Sequence, residues 1–160
     1  MNAKSLAGEL LAHIDKTQSL LDSQRACWQE FAEKELPLLG RGRSGGMLTA
    51  DFIADYYTCA ETLFFRISQF FENSLSKEHW HAELLRKMTL EIPGVREKVI
   101  SDETYAILEE FLRFRHFRRY YFKLDYDWAR LDYLSDKYSK INPMLKKELA
   151  DFRQFVESLV

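Results

Sequence analysis

From Thr49 to about Asn73, apolar residues recur every three or four positions, at Ile53, Tyr56, Ala60, Leu63, Ile67 and Phe70. Side chains at that spacing share one helix face, so a run of this length commits the chain to long amphipathic helices. Leu6, Leu10, Ile14, Leu21, Trp28 and Phe31 repeat the pattern and predict a first helix over 3–36, closed by Pro37 and Gly40. Lys77 to about Leu90 carries Trp80, Leu84, Leu85 and Met88 as a shorter helix, broken by Ile92-Pro93-Gly94. Ser101, followed by Asp102 and Glu103, starts a fourth, because its hydroxyl can accept from an orphan amide while the acids favour the positive helix end. Asp127 opens a final helical region through Leu131, Leu134, Tyr138, Ile141, Leu145, Leu149, Phe152 and Phe155, which Pro143 either kinks or divides. Only six glycines and three prolines in 160 residues agree with long helices. The expected fold is all-α, an antiparallel bundle of about five helices in one domain over 1–160. Its parts are the helix 3–36, a loop 37–48 and a core 49–158, with Thr49 capping the second helix.

The Gly40-Arg-Gly-Arg-Ser-Gly-Gly46 segment has loop composition and lacks the Lys-Ser/Thr ending of a phosphate-binding loop. No apolar run approaches the roughly 18 residues needed to cross a bilayer. The amino terminus lacks the basic region and apolar core of a signal peptide, so a cytoplasmic location without membrane partners is expected. Cys27 and Cys59 form neither a CxxC pair nor a disulfide framework and read as ordinary helix residues. His79 and His81 flank Trp80, and on a helix they would point about 200° apart, unfavourable for joint metal binding. His81 with Trp80 reads as a packing and hydrogen-bonding element at a helix start, and His13 as structural. No metal or cofactor is expected.

The chemistry-bearing stretch is Phe111 to Lys123, with Arg113, Arg115, Arg118, Arg119 and Lys123 and no acid, in a chain of net charge −2. On a helix, Arg115, Arg118 and Arg119 share the face of Leu108, Phe111 and Leu112, with Arg115 near its middle. A guanidinium at the centre of an apolar stripe is costly to desolvate, so it should meet a carboxylate, a phosphate or a second subunit. Asp55 and Glu61 are the carboxylates a bundle could bring to it. Arg113, Arg118, Arg119 and Lys123 are either a solvated basic helix end or, with the interleaved aromatics, an RNA-binding surface. Aromatics are 14% of the chain, clustered at Tyr56-Tyr57, Phe64-Phe65, Phe70-Phe71 and Tyr120-Tyr121-Phe122, a surplus that an oligomeric interface would absorb.

In order and spacing, several fragments between Asp55 and Phe155 resemble the HepT-like branch of the HEPN superfamily. They are Asp55-Tyr-Tyr57-Thr58-x-x-Glu61-x-Leu63-Phe64, Trp80-His81-x-x-Leu84-Leu85-x-x-Met88, Ile92-Pro-Gly-Val-Arg96, Phe114-Arg115-His116-Phe117 and Asp127-Trp128-x-Arg130-Leu131. The resemblance implies a helical bundle that dimerises about the motif helix, and a prokaryotic toxin-antitoxin or defence role. Members typically carry Arg, four residues, His, one residue, then Tyr. Read without a gap from Arg115, Tyr120 takes the histidine position and Phe122 the tyrosine position. Deleting one residue after Phe117 places Arg119 and Tyr121 there instead, at the cost of rotating the rest of the helix by about 100°. In either alignment the histidine is absent. The expectation is a degenerate site acting as an RNA-binding or partner-binding subunit. The alternatives are an active metal-independent ribonuclease using Arg115 with His116 or Tyr120, and a helical adaptor. The resemblance also implies a nucleotidyltransferase partner that adenylates the motif tyrosine, for which Tyr120 and Tyr121 are the available hydroxyls.

Overall fold

A computed structural model describes residues 3–72 and 78–160, and its order is α1 (Ala3–Glu30), a π-helical turn (Phe31–Glu35), α2 (Leu36–Leu39), α3 (Arg43–Phe71), α4 (Trp80–Lys87), α5 (Asp102–Arg119) and α6 (Trp128–Ser158). The expected helix end at Asn73 and helix start at Lys77 lie outside the described residues. α3 is the central helix and packs against α1, α4, α5 and α6. Side-chain pairings give the directions. Asp15 meets Arg153 and Asp22 meets Lys146, so α1 and α6 run antiparallel. Asp51 meets Arg118 and Glu61 meets Arg115, so α3 and α5 do the same. α3 and α6 run parallel, with Tyr56 against Tyr138 near one end and Phe71 against Phe152 near the other.

Most residues the periodicity marked are buried: Ile53, Tyr56, Ala60, Leu63 and Ile67 on α3, Leu108 and Phe111 on α5, and Leu131, Leu134, Tyr138, Ile141, Leu145, Leu149 and Phe152 on α6, whereas Trp28, Phe70 and Phe155 are half-buried and Leu6 is exposed. Ser101 caps α5 by accepting from the Thr104 amide, and Asp127 caps α6 by accepting from the Ala129 amide. Pro143 lies inside an undivided α6. Tyr56 donates to Asn142, Asn142 to Asp22, and Lys146 to the other Asp22 oxygen, a chain of polar contacts tying α1, α3 and α6. The Lys146 hydrogen bond, partly opposed by burial, holds the Asp22 carboxyl below the usual carboxylate range. Both cysteines are free, Cys27 exposed and Cys59 half-buried.

The expected loop 37–48 is helical at both ends, and only Gly40 to Gly42 connect α2 to α3. The first rod continues past Glu30 through a π turn in which the Leu36 amide donates to the Phe31 carbonyl. A wider turn just before Pro37 accommodates a ring that has no N–H and would crowd a regular helix. Gly40, at φ 80°, then ends the rod. α3 starts at Gly42 rather than at Thr49, whose hydroxyl instead donates back to the Gly45 carbonyl. Gly45 reads as loop because of composition, but it is there for packing. A Cβ on Gly45 would sit 2.5 Å from the Gly40 carbonyl oxygen and 2.9 Å from Leu36 Cδ1. Gly45→Ala is therefore expected to destabilise by about 1–2 kcal/mol, overpacking outweighing helix propensity. Gly8→Ala, on the open face of α1 with nothing within 4 Å, should stabilise by up to about 1 kcal/mol. Urea denaturation of the two variants checks the contrast.

Between α4 and α5 the chain turns at Gly94, φ 75°, where the Ile92 amide donates to the Arg96 carbonyl. Arg96 then points inward with its side chain 0% exposed. Its Nε donates to Glu72 at 2.7 Å, and its Nη atoms donate to the carbonyls of Lys87, Leu90 and Glu97. One guanidinium thus closes the C-terminal end of α4 and ties it to the end of α3.

Candidate functional site

The C-terminal half of α5 and the first turn of α4 form the walls of a groove of about 1140 Å³. Its lining holds His79, His81, His116, Arg113, Arg115, Arg118 and Arg119, together with the aromatic run Tyr120 to Phe122. α5 brings its cations to the groove at its C-terminus, where the helix dipole favours positive charge. α4 enters at that level through His79, whose left-handed backbone, φ 55°, turns the chain sharply into the helix.

Arg115 is the structural centre. Its Nη1 and Nη2 each donate to one oxygen of Glu61 at 3.0 Å, Nη1 also donates to Thr58 Oγ1 at 3.0 Å, and the guanidinium lies 4.7 Å from the centre of the Tyr57 ring. Side-chain exposure is 22% for Arg115 and 7% for Glu61. A fork-to-fork pair satisfies both charges, which is what a buried carboxylate at this depth requires. Glu61 Oε2 has a second partner, Nδ1 of His81 at 2.9 Å, and Arg115 Nη2 lies 3.3 Å from the same nitrogen. Burial, and next the Glu61 charge, push the Tyr57 phenol well above its ordinary range, so Tyr57 stays a neutral floor under the cation.

Of the two carboxylates proposed for Arg115, Asp55 is not its partner. It is exposed on another face of α3, turned toward α1, where burial and the neighbouring Asp51 charge raise its carboxyl. The 3.6-residue period separates them: Glu61 lies one turn from Tyr57, the ring under Arg115, and about 40° from it round the helix, whereas Asp55 is about 160° away.

The other basic residues divide. Arg118 pairs with Asp51, and Arg113 pairs with Glu109 one turn back at 3.1 Å. Arg119 and Lys123 are exposed and have no ion pair among the described residues, with Arg119 6.0 Å from the Tyr120 ring centre. The helix stops at Arg119, so Tyr120 to Lys123 are not on the extended helix from which their directions were reckoned. Tyr121 explains the early end: its ring stacks on Phe117 at 4.8 Å and its hydroxyl donates to the Asp125 carbonyl at 2.7 Å, folding the chain back toward α6. The Tyr121 hydroxyl is thus committed. Tyr120 is 61% exposed and meets His116 edge-to-face at 5.2 Å, and Phe122 is 84% exposed.

His81 is the site residue that the sequence assigned to packing and hydrogen bonding at a helix start and not to the groove. It does stack on Trp80 at a helix start, with ring centres 3.7 Å apart, but it also reaches the Arg115–Glu61 pair. No periodicity links positions 34 residues apart on different helices. Among the described residues, no group of three or more His, Cys, Asp or Glu is arranged to hold a metal ion. Nor is any helix there long and apolar enough to cross a membrane.

Fold and groove together define a small all-helical bundle protein with a cationic, aromatic-lined groove beside a buried arginine. The family described as HepT-like protein matches residues 48–156, and the chain belongs to it, within the HEPN superfamily. No curated protein and no solved structure matches. The matched stretch runs from α3 into α6, and α1, which packs on both, lies outside it.

Proposed function

We propose that the groove binds the phosphodiester backbone of single-stranded RNA, and that the chain serves as an RNA-binding or partner-binding subunit of a prokaryotic toxin-antitoxin or defence pair. The observation that carries this reading is the groove wall of Arg119 with the open rings of Tyr120 and Phe122, continued by exposed Lys123 just outside the lining, neither cation having an ion pair among the described residues. Cations for phosphates interleaved with rings for bases are what a sequence-tolerant single-strand site needs. Family membership supports the toxin-antitoxin setting, a homodimer in the cytoplasm, and a nucleotidyltransferase-type partner. Tyr120 is the better-presented acceptor for such a partner, because Tyr121 has its hydroxyl engaged.

Fluorescence anisotropy with a labelled mixed-sequence RNA tests the reading. Affinity should fall steeply with salt, by about 0.7 logarithmic units per contacted phosphate for each tenfold rise. Replacing Arg113, Arg119 and Lys123 together by Glu should weaken binding by about a hundredfold or more and flatten the salt slope by about 2. Binding that ignores both salt and these charges would overturn the RNA reading in favour of an adaptor for a protein partner.

A further inference from the structure

From the geometry of the groove we infer that His81 is a proton-transferring catalytic residue, positioned by Glu61 and Arg115, and that it supplies to bound RNA the imidazole missing from the linear motif. The inference rests on the RNA-binding reading above.

Glu61 Oε2 lies 2.9 Å from His81 Nδ1. Arg115 Nη2 also lies 3.3 Å from Nδ1 but already donates to Glu61 Oε2 at 3.0 Å, so the shorter 2.9 Å contact decides: two lone pairs would repel there, and Nδ1 carries the hydrogen and donates it to the carboxylate. The tautomer is then set: Nε2, on the opposite edge of the ring, bears a lone pair and has no partner among the described residues. His81 lines the groove with its side chain 40% exposed. An imidazole held through Nδ1 by a carboxylate, with Nε2 free in a substrate-sized groove, is the arrangement a general base requires. The rest of the cluster makes the orientation rigid. Glu61 is gripped by both arms of Arg115, Arg115 is seated on Tyr57 and bonded to Thr58, and the imidazole is backed by Trp80. Arg115 and Glu61 are positioning residues here, since the fork of Arg115 is already filled and is not offered to a phosphate.

RNA brings its own nucleophile, so one base beside a cationic surface is sufficient chemistry. His81 Nε2 takes the proton of a 2′-hydroxyl, and the oxygen attacks the adjacent phosphorus. The bond from phosphorus to the 5′-oxygen breaks, and that oxygen leaves with a proton from solvent. The products are a 2′,3′-cyclic phosphate and a 5′-hydroxyl, with no metal or redox partner consumed.

The test uses the full chain in chelator with the same labelled RNA, following binding by anisotropy and cleavage by gel, in wild type, His81→Gln and His81→Ala. Expected are cleavage by wild type with cyclic-phosphate ends, a loss of about a hundredfold or more in His81→Gln with RNA affinity retained, and partial recovery of His81→Ala by added imidazole. Chemical rescue is a response that a merely structural histidine would not give. Wild type that binds RNA without cutting it, or His81→Gln that cuts as fast as wild type, overturns the inference and leaves the RNA-binding reading standing. Absence of RNA binding overturns both.

Discussion

Arg96→Ala is expected to lower the stability of the fold by about 3–5 kcal/mol, a fall on the order of 10 °C in melting temperature for a chain of this size. The magnitude follows from what one side chain satisfies. Its guanidinium is wholly buried, pairs with Glu72, and donates to three carbonyls at the end of α4 and in the following turn. Truncation leaves a carboxylate that is itself nine-tenths buried with Lys87 Nζ at 3.5 Å in place of the guanidinium, takes a donor from each of the three carbonyls and opens a cavity. Lysine keeps the charge but not the planar fork, so Arg96→Lys should recover only a minority of the loss. Thermal unfolding by circular dichroism measures both. An Arg96→Ala variant within about 1 kcal/mol of wild type would show that water replaces the guanidinium, and that the α4–α5 turn is held by its backbone bonds alone.

The second large effect is an asymmetry between the two ends of the central pair. Arg115→Ala should cost about 3 kcal/mol, because Glu61 cannot reach water and keeps only His81 as a partner. Glu61→Ala should cost less, about 1–2 kcal/mol. The remaining Arg115 has a long flexible stem beside the groove, and its guanidinium can swing into solvent. Urea denaturation of both single variants and the double variant gives the coupling between them. RNA affinity separates the roles: in the arrangement seen here Arg115→Ala loses stability first. Unchanged stability with lost RNA binding would instead make Arg115 a direct phosphate contact.

These residues also show where sequence patterning suffices and where it does not. The helical period identified the buried face of α3, α5 and α6 correctly because burial against one core selects side chains by local spacing alone. Ser101 and Asp127 were legible as helix starts for the same reason, since a cap bonds within its own first turn. Glycine composition misled at 40–46. Gly45 serves a close approach to residues of the preceding rod, a demand that exists only once α2 and α3 are stacked.

The candidate site divides in the same way. That Arg115 needed an anionic partner followed from its place in an apolar stripe, but the choice of Glu61 over Asp55 was made by the rotation of α3 against α5. The end of α5 at Arg119, which frees Tyr120 and Phe122 from the helix, was set by Tyr121 folding back on Phe117 and Asp125. His81 entered the site only because α4 lies across the same end of α3 and α5. Sequence by itself determined most of the helices, the buried faces of α3, α5 and α6, the caps of α5 and α6 and the basic segment, because those depend on neighbours within a turn or two. Tertiary structure alone decided which carboxylate meets Arg115, which cations stay free and which histidine faces the groove. Each of those is a contact between distant segments, selected by how the helices rotate and cross.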